Sequence, residues 1–238
     1  MCWGTGVTAT MVLAGTAGAI VTWRRGDPVA VSFTLGYFAL MEALQFAGYL
    51  AIDQCGTPAN RTITLLSVLH IVFQPIVINA FAMEFVRPGL PARTRRIVFC
   101  LSGLASAVML VQLLPVPQFG TCSPGVALCG AELCTVSGDW HLAWTFPYNG
   151  LLVSLEQMIR TSLGFPTYFL GVFLLPLFYG AWRFAVFHGV VGPLLATHLT
   201  SNPDEAPAIW CLFSISIIII SLLPPVRRQF EYHRMAAT

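Results

Sequence analysis

Seven apolar stretches divide this chain, at about 5–23, 29–52, 62–86, 97–116, 163–182, 184–200 and 207–224. A helix of about 20 residues crosses a hydrocarbon core of roughly 30 Å. The pattern therefore predicts an all-α fold, a seven-transmembrane-helix bundle forming one domain over residues 1–238. The third stretch is the unusual one. It carries Ser67, His70, Gln74, Asn79 and Glu84 where an inert anchor would carry Leu and Val. On a helical wheel centred on His70, Gln74 falls at about +40°, Ser67 at about +60° and Glu84 at about −40°, with Asn79 roughly opposite. The second stretch has its own polar face, formed by Glu42, Gln45, Tyr49 and Asp53. Lipid cannot satisfy such stripes, so they must turn toward protein or a wet cavity.

The connections set the orientation. Arg24 and Arg25 follow the first stretch, and Arg87, Arg93, Arg95 and Arg96 follow the third. Arg183 follows the fifth, and Arg227, Arg228 and Arg234 follow the seventh, leaving only Arg61 and Arg160 on the other side. The positive-inside rule makes the arginine-rich side cytoplasmic, with the N-terminus outside and the C-terminus inside. Trp3, Trp23, Trp140, Trp144, Trp182 and Trp210 all lie in connections or near stretch ends, as an interfacial belt would place them. Small residues repeat at Thr10, Ala14 and Gly18, at Gly103 and Ala107, and at Ser102 and Ser106, and they read as helix-packing seams. Pro75, Pro166, Pro176 and Pro193 are expected to kink their helices.

The outer connection 117–147 is long, and it holds Cys122, Cys129, Cys134, Trp140 and His141; the shorter outer loop at 53–61 holds Cys55. Four cysteines on an oxidising side favour two disulfides, with three connectivities open, over a four-thiolate metal site. Residues 148–162 read as a short amphipathic outer helix. Leu151, Leu152, Leu155, Met158 and Ile159 form its apolar face, and Glu156 pairs with Arg160 at i,i+4. Asn60-Arg61-Thr62 fits a glycosylation sequon but abuts the membrane edge.

Composition sharpens the picture. With 56% hydrophobic and 9% charged residues, the chain is far from a soluble domain. A net charge of +2 gives no reason to expect a nucleic-acid partner. The chain has no Lys, which excludes a retinal Schiff base. The first apolar stretch is too long for a signal-peptide core and lacks a basic lead-in, so it reads as the first membrane helix.

Depth along the helices brings Glu42, Gln45, His70 and Gln74 to about mid-membrane, since consecutive helices joined by a short loop pack antiparallel. Histidine with carboxylate is a common ligand set for zinc, copper or iron. His198, near the outer end of the sixth stretch, and His141 are placed to cap the same cavity. Zn or Cu held by His70, His198, Glu42 and His141 is one expectation. Glu42 would then be the base for a bound water, with His70 and Gln74 beside it in the catalytic set. His188 and Glu84 are expected to pair near the inner surface. Cys2, exposed if Met1 is removed, is a minor candidate nucleophile or chelator. Cys100 and Cys211 read as small hydrophobes.

Met1-Cys2-Trp3, the run Leu69 to Pro75, the Cys129-to-Tyr148 loop with Trp140-His141, and the run Pro207 to Cys211 carry a resemblance across nearly the whole chain. Together they resemble an uncharacterised family of seven-helix membrane proteins from bacteria and large viruses, which implies no activity. A partial resemblance links Ser67 and His70 to alkaline-ceramidase-type seven-helix zinc hydrolases, whose last-helix histidine pair is absent here. The functional expectation is a membrane-embedded metal-dependent hydrolase acting on a lipid or amide, in a bacterial plasma membrane. The alternatives are a non-enzymatic binder or transporter of a metal ion, proton or small solute, and a receptor or assembly subunit.

Overall fold

Four apolar stretches form single long helices in the structure, a computed structural model that describes residues 4–159 and 164–233. These are α1 (Thr5–Arg24), α2 (Val29–Leu50), α3 (Pro58–Ala82) and α4 (Ala92–Gln112). Each is long and apolar enough to cross a membrane. α3 starts before the apolar run because Thr57 caps it, accepting from the Asn60 amide at 3.4 Å, and Pro58 fills the first turn. It runs through Pro75 and ends in a 3-10 turn, Met83–Phe85.

The last three stretches are broken, further than the kinks expected at Pro166, Pro176 and Pro193. The fifth becomes α6 (Pro166–Phe169), a π turn (Leu170–Leu174) and α7 (Leu175–Tyr179). The sixth becomes α8 (Trp182–Gly189), a second π turn (Val190–Leu194) and α9 (Leu195–Leu199). Each π turn lies at a proline, Pro176 or Pro193, whose ring has no room in the tighter α-helical ladder. The seventh becomes α10 (Ala206–Ser214) and α11 (Ile217–Leu222); α12 (Pro224–Phe230) then bends away by 106°. Among the described residues four helices meet the length and apolarity of a span, five if that bent pair counts as one. Pro166–Tyr179, at 1.5 Å per residue, reaches only about 20 Å.

Asn79 belongs to this break and is no bystander on the far face of α3. Its amide donates to the carbonyls of Pro75 at 2.7 Å and Gly171 at 2.8 Å, and its oxygen accepts from Tyr179 at 2.9 Å. It thereby satisfies backbone at the proline of one helix and in the π turn of its neighbour.

The helix ends gather into two groups. At the arginine end, Arg227 pairs with Asp27 at 3.0 Å and Arg25 donates to the Leu222 carbonyl at 3.2 Å. Arg183 donates to the carbonyls of Gln229 and Glu231, and β1 (Val86–Arg87) pairs in parallel with β4 (Tyr232–His233). Glu84 faces Arg95 at 3.7 Å, not His188. At the loop end, β2 (Cys134–Ser137) and β3 (Leu142–Thr145) form an antiparallel hairpin, a departure from the all-α expectation. Its backbone finds a partner in Asn60, whose amide donates to the carbonyls of Ala51 and Thr135 while its oxygen accepts from the Thr135 amide at 3.0 Å. Asn60 is therefore a buried clamp and not a glycosylation site.

The disulfides are Cys55–Cys134, which ties the hairpin to the α2–α3 turn, and Cys122–Cys129. The amphipathic segment is α5 (Val153–Ile159). Its Glu156 turns inward and accepts from the Gly164 amide at 2.5 Å. Burial raises that carboxyl's pKa, and the amide bond partly offsets the shift. Cys2, Trp3, Arg160 and Arg234, on which four expectations rested, lie outside the described residues. Trp23 and Trp182 are exposed as a belt requires, but Trp144 and Trp210 are core residues. On α1 the buried seam is Thr8, Gly15, Gly18 and Thr22, displaced from the expected Thr10 and Ala14. A methyl group on Gly15 would meet the Ala39 side chain at 2.8 Å, so α1 and α2 touch there at glycine distance.

Candidate functional site

The expected polar stripe is buried, but it divides into two clusters with an isolated acid between them. Glu42, Gln45, His70 and Gln74 are all within the bundle. His70 Nε2 donates to the Tyr37 carbonyl at 2.7 Å, its ring stacks on Tyr37 at 3.8 Å, and the Tyr37 hydroxyl donates back to the His70 carbonyl at 2.6 Å. Because a carbonyl only accepts, His70 Nδ1 is left to accept from Gln74 Nε2 at 3.4 Å. Gln74 Oε1 accepts from Tyr168 at 2.5 Å, and its nitrogen also faces Cys211 Sγ at 3.6 Å. This cluster locks α2, α3, α6 and α10 together.

The second cluster lies at the loop end. Gln45 donates to the Ala208 carbonyl at 3.2 Å and accepts from His141 Nε2 at 2.6 Å. That fixes the tautomer, so His141 Nδ1 accepts from Tyr49. Burial lowers the His141 pKa to about 4 against the pull of nearby Glu205, so the ring is neutral at neutral pH. Glu205 is fully buried and collects the loop: its carboxylate accepts from the amides of Asp139, Trp140 and His141 and from the Thr200 hydroxyl at 2.6 Å. Its neighbour Asp204 accepts from the Leu128 amide at 2.6 Å.

Glu42 sits one helical turn from Gln45 on the same face of α2, and neither of its oxygens has a hydrogen-bond partner. The expected metal set does not assemble. His70 and His141 have both ring nitrogens engaged, and His198 is exposed on α9. Among the described residues no three His, Cys, Asp or Glu side chains come together to hold an ion.

Between α6, α9 and α10, under the loop end, lies a cleft of about 210 Å³. Its inner wall is Gln74, Tyr168, Trp210 and Cys211, its sides include Phe169 and Pro193, and Leu128 and Pro203 roof it. Trp210 is held in place by donating to His188 Nε2 at 3.0 Å and packs edge-on against Tyr168 at 5.1 Å. Gly192 is required opposite it, since any side chain there would run into the indole. His188 thus pins a helix, though its partner is Trp210 and not Glu84.

Sequence reasoning missed Glu205, Tyr37, Tyr168 and the role of Trp210. Two adjacent carboxylates in a short loop of an acid-poor chain were the available signal for Glu205. Tyr37 left none, because its bonds to His70 run through backbone carbonyls.

The model of a family of unknown function, DUF5765, matches residues 6–231. No curated protein matches the chain, and no solved structure does.

Proposed function

We propose that this chain, which belongs to the DUF5765 family and takes no activity from it, is a multi-pass membrane protein that binds an apolar small molecule in the cleft between α6, α9 and α10. The observation that carries this reading is the cleft itself. It is walled by aromatic and aliphatic groups, with the Gln74–Tyr168 pair as its polar feature. The chain crosses the bilayer seven times, with α6–α7 and α8–α9 as the short crossings. Arginines from three turns meet at one end and both disulfides lie at the other, which supports an arginine end in the cytoplasm and a disulfide end outside.

Lipid tails are as apolar as the cleft wall, so greasiness alone does not hold a ligand against the surrounding bilayer. Selection falls to shape, to stacking on Trp210, Tyr168 and Phe169, and to the polar edge of Tyr168. That favours a lipid-soluble molecule bearing a flat ring, or a lipid with a polar group near its chain. The metal-dependent hydrolase expected from the sequence needs Glu42 and two imidazoles around one ion; here the imidazoles are committed to Tyr37, Gln74, Gln45 and Tyr49, so ligand binding is the better reading.

The test is organic extraction of purified protein followed by mass spectrometry. Wild type should release a retained apolar compound in near-equal molar amount. Thr197→Phe should release much less, because the new ring fills the cleft mouth. Thr197 is exposed and bonds only to carbonyls of its own helix, so the fold should tolerate the change. Equal retention by both proteins contradicts the reading.

A further inference from the structure

We propose that Glu42 is a proton-binding site of the membrane interior, carrying its proton at neutral pH and reacting there as a free carboxylic acid. This rests on the surroundings of Glu42 and not on the ligand cleft. The side chain is completely buried in mid-helix on α2, and both carboxyl oxygens lack a partner. The polar side chains that α2, α3, α10 and the roof bring to this region have hydrogen-bond partners other than Glu42.

On α2 itself, Gln45 spends its amide on Ala208 and its oxygen on His141, while Tyr49 binds His141. On α3, the antiparallel register runs from Asn60 at Ala51 to His70 at Tyr37 and so places Ser67 level with Glu42. The Ser67 hydroxyl donates to its own helix at the Ile63 carbonyl, 3.0 Å away, and His70 has both nitrogens engaged. On α10, the Cys211 thiol is faced by Gln74. In the roof, His141 is neutral and Glu205 is spent on the loop amides. The described salt bridges all lie at the arginine end, and none includes Glu42.

An ionised carboxylate in this position would have no donor and no counter-charge, an arrangement that low-dielectric surroundings penalise far more than a neutral acid. The proton is therefore part of the folded structure. Carboxyls of this kind react with dicyclohexylcarbodiimide. The acid passes its proton to a carbodiimide nitrogen, its oxygen adds to the central carbon, and the O-acylisourea rearranges to an N-acylurea that retains the whole reagent.

The experiment uses the full chain in liposomes. Infrared difference spectra between wild type and Glu42→Gln at neutral pH should show a protonated-carboxyl band in the wild type alone. Glutamine matches the neutral acid in shape, so the variant should fold and unfold like the wild type. Should it fail to fold, peptide mapping of carbodiimide-treated wild type decides: the adduct should lie on Glu42, and its yield should fall as the pH is raised. A wild type without the band at neutral pH, or an adduct confined to Glu156 and Asp204 at the loop end, overturns the proposal.

Discussion

Replacing Glu205 with alanine is expected to cost the fold about 3–5 kcal/mol, as emptying the shared acceptor of several buried donors does. The carboxylate is the common acceptor for the amides of residues 139, 140 and 141 and for the Thr200 hydroxyl, all buried or partly buried. Hydrogen bonds to a charged group contribute about 1.5–3 kcal/mol each, and a buried donor left empty costs about 1–3 kcal/mol more. The bonds are not additive, because released amides reach water once the loop lifts. Lifting the loop also removes the His141–Gln45 bond, so the damage should spread to α2. Thermal unfolding in detergent checks this. A loss below about 1 kcal/mol would mean that the disulfides and not Glu205 hold the loop down.

The second large effect separates the two disulfides. Cys55–Cys134 joins residues 79 apart, and Cys122–Cys129 joins residues 7 apart. The chain-entropy relation assigns about 4.5 kcal/mol to the longer closure and about 2.4 kcal/mol to the shorter. The longer one also fastens the strand that Asn60 and Thr64 bind, at Thr135. Cys55→Ser with Cys134→Ser should therefore lower the unfolding temperature clearly more than Cys122→Ser with Cys129→Ser. All four thiols should resist alkylation until the protein is reduced. Equal losses from the two double variants would place the stability of the loop in its packing alone.

Hydropathy carried most of the architecture. The first four helices, the two groups of ends and the four bridging cysteines all follow from where apolar runs, arginines and cysteines fall. Everything that depends on a side chain serving someone else's backbone was invisible. Asn60 and Glu205 are spent mainly on main-chain groups of distant segments, and Asn79 reaches one in the π turn of its neighbour; main-chain partners have no letter in a sequence. The π turns were half legible: Pro176 and Pro193 announced a disturbance, but not that Asn79 would repair one. The polar stripe pointed to the right residues and the wrong chemistry. His70 looked like a ligand because its type suits a metal, whereas its partners, the Tyr37 carbonyl and Gln74, make it a clasp between helices. The cleft had no signature, since Trp210 reads from the sequence as part of an interfacial belt and Tyr168 and Phe169 belong to no polar pattern there.

Photolabelling tests the binding cleft most directly. A hydrophobic diazirine probe is activated in liposomes containing the protein, and its adducts are mapped by peptide mass. The account predicts saturable adducts on Tyr168 and Trp210, which are almost wholly shielded from the surroundings, and their disappearance in Thr197→Phe. Adducts confined to outward-facing residues such as Leu104, Leu170 and Phe178, with Tyr168 and Trp210 unmarked, would contradict it.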